Sequence, residues 1–386
     1  MRNRSPSAAR KKPPAHAQEA AHGRTTAQVA SFRKGLMAWY SSQKRDLPWR
    51  ATTDPYAVWL SEVMLQQTRV DTVIPYYERF LTAFPTVFEL AEAPIDHVLT
   101  LWAGLGYYRR ARMLHAAARE IGKRGAFPKT AAELLTVAGI GPYTAGAVAS
   151  IAFQERAPLV DGNVHRVLSR IFAIDLPAPE ARKVCWDIAA DIVPASRPGD
   201  FNQALMELGA VICTPSSPRC ERCPVAKSCA ALASGKVAVL PRPPQKKPPK
   251  AEKRSALLLR RGTKATDEVL FARRLSSLRF GGLWEPPMML GAFGPKELRA
   301  LGLAPKTAGA SAKPTHAGSL RHVLTHRILE VDVYRLDVKD AAVAHAANLP
   351  KDVTEAFPEY DTFAWAKPAD APGGVSTLAR KVLAWL

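Results

Sequence analysis

Acid is scarce in this chain: 34 Asp and Glu stand against 54 Lys and Arg in 386 residues, a formal net charge of +20. That imbalance argues for a polyanionic partner, though it says nothing about fold. Part of it lies where the chain reads as flexible, at Arg2, Arg4, Arg10, Lys11, Lys12 and Arg24, and again from Lys246 to Arg254. Long apolar runs are missing as well. None can span a bilayer, so no membrane partner is expected. Residues 1–26 lack a hydrophobic h-region, which excludes a secretory signal. They read as a disordered basic tail, with an organelle transit peptide the less favoured alternative. The expected setting is a reducing bacterial cytoplasm, at the nucleoid, where disulfides are rare.

Cysteine is sparse, with five residues, yet four crowd together as C-x6-C-x2-C-x5-C: Cys213, Cys220, Cys223 and Cys229. Such crowding argues for a metal centre over disulfides or inert thiols. Four thiolates can hold a zinc ion or a [4Fe–4S] cluster. Zinc ribbons use two C-x2-C pairs and only one is present, so the spacing favours iron–sulfur. Cys185, beside Trp186, reads as a small buried apolar residue.

The densest signal runs from Leu134 to Val164. Gly139-Ile140-Gly141 lies between a short helical run, Ala131 to Val137, and a small-residue helix, Thr144 to Phe153. Two glycines permit a tight turn, and the helix N-terminus behind it offers free amides to a phosphate. An ordinary helix–helix corner explains the same residues equally well. Asp161, in an Asp-Gly-Asn turn that starts another helix, reads as a carboxylate aimed into a cleft or as an N-cap.

Residues 27–212 read as helical, with apolar residues at helical spacing over Val29–Tyr40, Ala57–Gln67, Val73–Phe84, Ile95–Ala103, Arg109–Gly122 and Ala181–Ile192. The cysteine loop occupies 213–232 and a Pro/Lys-rich linker 233–254, expected to be extended and mobile from Leu240 to Arg254. From 255 to 386 the pattern is α+β. Strands are expected at Ser255–Leu259, Glu268–Ala272 and Leu329–Leu336, with a long loop at 303–318. A final helix, Val375–Leu386, places Leu378, Val382 and Trp385 on one face.

Several of these residues fall in long ordered motifs: LPWR at 47–50, SEVMLQQTRV at 61–70, LWAGLGYYRRAR at 101–112, AGIGPYTAGA at 138–147, VDGNVHRV at 160–167 and FNQALMELGA at 201–210. Together with the four cysteines they make the chain resemble the MutY-type adenine DNA glycosylases of the helix-hairpin-helix superfamily, which includes endonuclease III. The resemblance implies a monomer with a helical glycosylase core, a [4Fe–4S] loop and a C-terminal Nudix-like domain. It implies double-stranded DNA with adenine opposite 8-oxoguanine or guanine as the substrate, and a flipped-out adenine.

By match to the motifs, Glu62 is the general acid and Asp161 stabilises the cationic sugar, a division of work between two carboxylates. Taken alone, Glu62 reads as an early-helix carboxylate favoured by the dipole. Asn163 matches a residue that orients the catalytic groups. Tyr143 stands where the endonuclease III branch has a Schiff-base lysine, which implies a monofunctional enzyme. Arg50 and Glu207 match the adenine pocket, and Gln67 and Tyr107 match side chains that enter the base stack. Gly139 and Gly141 form the hairpin turn. GGLWEPP at 281–287 supports the Nudix likeness, but Pro295 to Leu303 holds only Glu297, so the acidic magnesium helix is missing. Leu324-Thr325-His326 stands in place of the family's Phe-Ser-His recognition element. A thymine or uracil mismatch glycosylase of the same superfamily and a non-catalytic DNA-binding protein are the alternatives.

Overall fold

The computed structural model describes residues 26–243, 248–262, 267–303, 313–324, 326–338 and 351–386. The tail expected at 1–26 lies, but for its last residue, outside them, as does Thr325. The helices of the N-terminal part are α1 (Thr26–Gln43), α2 (Pro55–Leu65), α3 (Val70–Ala83), α4 (Val87–Glu92), α5 (Ile95–Trp102), α6 (Arg109–Arg124), α7 (Ala131–Leu134), α8 (Pro142–Phe153), α9 (Gly162–Ile171), α10 (Ala178–Ile192) and α11 (Pro198–Val211). Short α12 (Ala230–Ala233) follows the cysteine loop. The later elements are β1 (Lys250–Arg261), β2 (Glu268–Arg274), β3 (Trp284–Glu285), β4 (Met288–Leu290), α13 (Pro295–Ala300), β5 (Thr315–Val323), β6 (Arg327–Val338), α14 (Lys351–Ala356), β7 (Tyr360–Ala366) and α15 (Thr377–Leu383). Among the described residues no helix is long and apolar enough to cross a membrane.

The chain forms two compact units, Met1–Val63 with Arg124–Gln245, and Met64–Lys123 with Lys246–Leu386. In the first, α11 is the central helix, packed on α1, α8 and α9. Phe201, Leu205 and Leu208 are fully buried along it, and Phe32 meets Phe201 edge-on at 6.2 Å. Small residues set how closely the helices approach. A Cβ on Gly146 of α8 would strike the Pro158 carbonyl, and one on Gly199 of α11 would come within 2.5 Å of the Ser150 carbonyl oxygen.

The second unit combines α3 to α6 with a mixed seven-stranded sheet in the order β3-β2-β1-β6-β5, with β4 beside β1 and β7 beside β2. Among the described strands only β1 and β6 pair in parallel, in register from Lys250↔Arg327 to Arg261↔Val338. The central strand reads Ala256-Leu257-Leu258-Leu259 because both faces are covered. Ala256 and Leu258 join Val331, Val333, Leu378 and Val382 on one face, and Leu257 and Leu259 join Leu336, Phe357 and Phe363 on the other.

Three expectations are corrected here. The expected linker ends early: β1 starts at Lys250, and Arg254 is buried, held by Glu252 at 2.6 Å and by both oxygens of Glu359. A buried, paired guanidinium is not free charge, so the linker reading fails over its last residues. The loop expected to 318 gives way to β5 from Thr315; its polar alternation is that of a strand paired on one side only, at the sheet edge. Trp385 lies beyond α15, is 40 % exposed and has its ring against Gly318, so it does not share the buried face of Leu378 and Val382.

Candidate active site

Glu62 sits on α2. That helix starts at Pro55, and the Asp54 carboxylate accepts from the amides of Tyr56 and Ala57 at 3.3 and 3.2 Å. Glu62 therefore falls in the last turn, where the helix dipole opposes a negative charge, and not in the early turn expected from sequence. It is 5 % exposed. Burial pushes its carboxyl up; the Tyr143 hydrogen bond pulls back, the nearby Asp161 charge raises it and Arg50 lowers it, leaving it at about 7. Such a group is half protonated near neutrality and fits an acid.

Tyr143, the second residue of α8, donates its hydroxyl proton to Glu62 Oε2, and Met206 Sδ lies 3.4 Å from the Tyr143 hydroxyl oxygen. Burial and the carboxylates of Glu62 and Asp161 hold the phenol well above its usual range, so it stays a neutral donor. In the hairpin that carries it, Gly139 has φ +95° and needs glycine, whereas Gly141 has φ −91° and does not. The expectation that both glycines serve the turn geometry holds for the first alone. At Gly141 a Cβ would meet nothing within 4 Å, so this exposed N-cap leaves the α8 amides open in front.

Asp161 is the N-cap of α9: Oδ1 accepts from the Val164 amide at 2.6 Å and Oδ2 from Asn163 Nδ2 at 3.1 Å. Burial raises its carboxyl above the ordinary value, against these hydrogen bonds and Arg166. Asn163 Oδ1 in turn accepts from Arg166 Nη2 at 2.9 Å; the same guanidinium donates to the Gly209 carbonyl at 2.8 Å and, through Nε, to the Cys213 carbonyl at 2.7 Å. The carboxylate is thus tied through two side chains to the first cysteine of the loop. A Cβ on Gly209 would lie 2.6 Å from Asn163 Cβ, so α11 reaches α9 only through glycine. Gly209→Ala should push Asn163 aside and slow base release about 100-fold, the order expected for a small misplacement; a single-turnover rate equal to wild type would refute this.

Glu207 of α11 is 1 % exposed and holds two guanidinia, Arg45 at 2.7 and 2.8 Å and Arg50 at 2.7 Å. Burial alone would raise it, but hydrogen bonds from Arg45 and Arg50 carry it down to about 2. Arg45 was missed in the sequence because KRDLPWR offers three cations and no pattern to choose among them. Arg166 and Met206 were missed for the same kind of reason: each lies inside a quoted motif with nothing local to mark it.

Cys213, Cys220, Cys223 and Cys229 line one cavity between α9, α11 and the loop. Among the described residues no three metal-ligating side chains converge closely enough for a single ion. Four cysteine thiols around one cavity are the donor set of an iron–sulfur cluster. Arg170 Nη1 lies 3.3 Å from Cys213 Sγ and anchors the loop through the carbonyls of Thr214 and Pro215. Burial pushes the Cys223 thiol up to about 11, so a metal bound there must displace its proton.

The second unit carries the remaining expected residues. Gln67 lies past the end of α2, not within a helix, with φ +59°, and Tyr107 is 47 % exposed with φ +48°. Leu324 and His326 are at the β5–β6 hairpin tip, where the Leu324 amide donates to the Arg327 carbonyl at 2.8 Å. Leu324 is half-buried against the sheet's apolar core, while His326 is exposed. Glu297 accepts from the Gly294 amide at 2.8 Å and caps its own helix.

A glycine hairpin, a buried Glu62, a half-buried Asp161 and a four-cysteine loop thus lie together in the first unit. Residues 60–189 match the HhH-GPD superfamily base excision DNA repair protein, and residues 213–229 match the iron–sulfur binding domain of endonuclease III. Adenine DNA glycosylase of Rattus norvegicus is 38 % identical over 84 % of this chain and 73 % of its own length. The Homo sapiens enzyme is also 38 % identical, over 81 % of this chain and 68 % of its own. A solved thermostable thymine-DNA glycosylase is 29 % identical, with a TM-score of 0.49 over 54 % of this chain and 98 % of its own. The chain belongs to the adenine DNA glycosylase family. It is a base-excision repair glycosylase that hydrolyses the N-glycosidic bond of adenine, and its four-cysteine loop binds a [4Fe–4S] cluster.

Proposed function

We propose that this enzyme releases adenine mispaired with 8-oxoguanine or guanine in double-stranded DNA, and that it is monofunctional. The carrying observation is the buried Glu62 carboxyl at about 7, hydrogen-bonded to a tyrosine at the position where a Schiff-base enzyme needs an amine. Protonated Glu62 gives its proton to N7 of the flipped adenine. The bond from C1′ to N9 breaks and its electron pair leaves on the base. Ionised Asp161, held by Val164 and Asn163, faces the positive charge left on the sugar. Water then adds its oxygen to C1′ and returns a proton to the Glu62 carboxylate. Arg50, oriented by Glu207, borders the base pocket. The hairpin amides behind Gly141 hold a backbone phosphate.

Cys213, Cys220, Cys223 and Cys229 hold the cluster, which supplies a cross-link that fixes the loop beside α9. The C-terminal sheet is Nudix-like in its GGLWEPP motif and reads the opposing base, with Leu324 and His326 at its tip and Thr325 between them in sequence. Leucine lacks the aromatic ring found in the family and packs half-buried against the sheet core, while His326 is exposed to make polar contacts. The enzyme acts as a monomer in the cytoplasm.

The test is single-turnover release of base from duplexes with adenine opposite 8-oxoguanine, adenine opposite guanine, and thymine opposite guanine. Adenine release should be fastest opposite 8-oxoguanine, the abasic strand should stay uncut, and borohydride should trap no adduct. Equal adenine rates for both opposing bases would remove the proposed recognition role, and a trapped adduct would remove the monofunctional reading.

A further inference from the structure

Gln67 and Tyr107 share an unusual backbone: both are non-glycine residues in the left-handed region, at φ +59° and +48°. Such a conformation persists in a bulky residue only when the surroundings impose it. One side chain touches both loops. Arg110, in the first turn of α6, donates through Nη1 to the carbonyls of Met64, at 2.9 Å, and Gln66. Its Nη2 reaches Thr68 Oγ1 at 3.1 Å and, on the other loop, the carbonyls of Leu105 at 3.4 Å and Gly106 at 3.2 Å. The guanidinium also lies over the rings of Trp102 and Tyr107, at 5.5 and 5.4 Å from their centroids.

The Tyr107 loop has further supports of its own. Tyr76 Oη donates to the Ala103 carbonyl at 3.0 Å, Tyr108 Oη accepts from the Gly104 amide at 3.2 Å, and Trp102 Nε1 donates to the Gly106 carbonyl at 3.2 Å. For the Gln67 loop, Arg110 bonds on both sides of the residue, at Gln66 and Thr68. The two Nη groups of the rigid fork carry four N–H donors to acceptors on two stretches of chain, with Leu105 and Gly106 sharing one of them, whereas an ammonium has only three.

We propose that Arg110 is a positioning residue for the enzyme's entry into the base stack: it fixes the Gln67 and Tyr107 loops as one rigid wedge. The proposal rests on the reading that these two side chains enter the stack beside the target. Arg110 itself touches no base. The two loops carry the residues that must displace stacked bases, and a wedge transmits force only if its root does not yield. Binding energy from the phosphate contacts is then spent on unstacking the target pair instead of on ordering two loops.

The test uses the full, cluster-loaded enzyme and two substrates, both with 2-aminopurine beside the target. One holds adenine paired opposite 8-oxoguanine, and the other holds a bulged adenine already out of the stack. Arg110→Lys keeps the charge and loses the fork. It should retain cluster absorbance, slow release from the paired duplex about 100-fold, suppress the fluorescence rise on binding, and leave release from the bulged substrate within a few fold of wild type. Thr68→Val, which removes one contact on the Gln67 loop alone, should show the same selectivity more weakly. Added to Tyr107→Ala, Arg110→Lys should cost little more. If Tyr107→Ala and Gln67→Ala both leave the paired duplex unaffected, the wedge reading itself falls and the proposal with it. If they impair it while Arg110→Lys and Thr68→Val do not, Arg110 is not the positioning residue. Equal loss on both substrates, or lost cluster absorbance in Arg110→Lys with no substrate selectivity in Thr68→Val, makes Arg110 a fold residue only and overturns the proposal.

Discussion

Glu62→Gln should abolish adenine release while leaving binding to the mispaired duplex nearly unchanged. Glutamine is isosteric and keeps an oxygen to accept from Tyr143, so the buried site is not left with a cavity. It has no acidic proton to give. General acid catalysis contributes about 10²–10⁴-fold, and a substitution that removes both proton transfers falls at or beyond the upper end. Single-turnover rates and a gel-shift titration on the same duplex separate the two effects. Equal loss of binding would mean that Glu62 is needed for the fold of the site rather than for its chemistry.

The same carboxyl sets the pH response. Glu62 at about 7 must be protonated to act, so the rate should fall as pH rises through that value. Asp161, raised by burial, must be ionised, which sets the acid limb and gives a bell. Tyr143 hydrogen-bonds the charged form of Glu62 and so lowers its pKa. Tyr143→Phe removes that bond, Glu62 holds its proton to higher pH, and the alkaline limb should move upward. A downward shift would refute the assignment of that limb to Glu62.

Glu207→Ala should destabilise the first unit by about 3–5 kcal/mol, because it leaves Arg50 and Arg45 against an empty, largely buried space. Arg45 is the more exposed of the pair, at 39 % of its side chain against 10 % for Arg50, so most of the effect comes from Arg50. The sign with pH follows from the depressed carboxyl. Folded, Glu207 is at about 2 against an ordinary 4.5, so its stabilisation is complete above 4.5 and is lost as pH falls toward 2. Urea unfolding of wild type and variant should therefore differ fully at neutral pH and converge below about 4.5. A difference that persists unchanged in acid would show that Glu207 acts by packing and not by charge.

These residues were legible in the sequence to different degrees. The cysteine spacing, the hairpin and the helical core stood out because each rests on local chemistry: a chelate, a turn and a 3.6-residue period. Edge strand β5 did not, since a strand paired on one side alternates weakly and looks like a polar loop. Without the family resemblance, Glu62 could be read only as a helix carboxylate, because its pKa depends on burial and on Tyr143, 81 residues away.

By itself the sequence determined the helix periods, the hairpin glycine, the thiolate set and the aspartate that caps α9, since each is settled within one or two turns of chain. Tertiary structure alone decided which carboxylate is neutral, which arginines are paired and which loops share a support. Those are long-range matters. Desolvation and charge pairing act through space, so Arg45 meets Glu207 across 162 residues and Arg110 joins two loops some 40 residues apart.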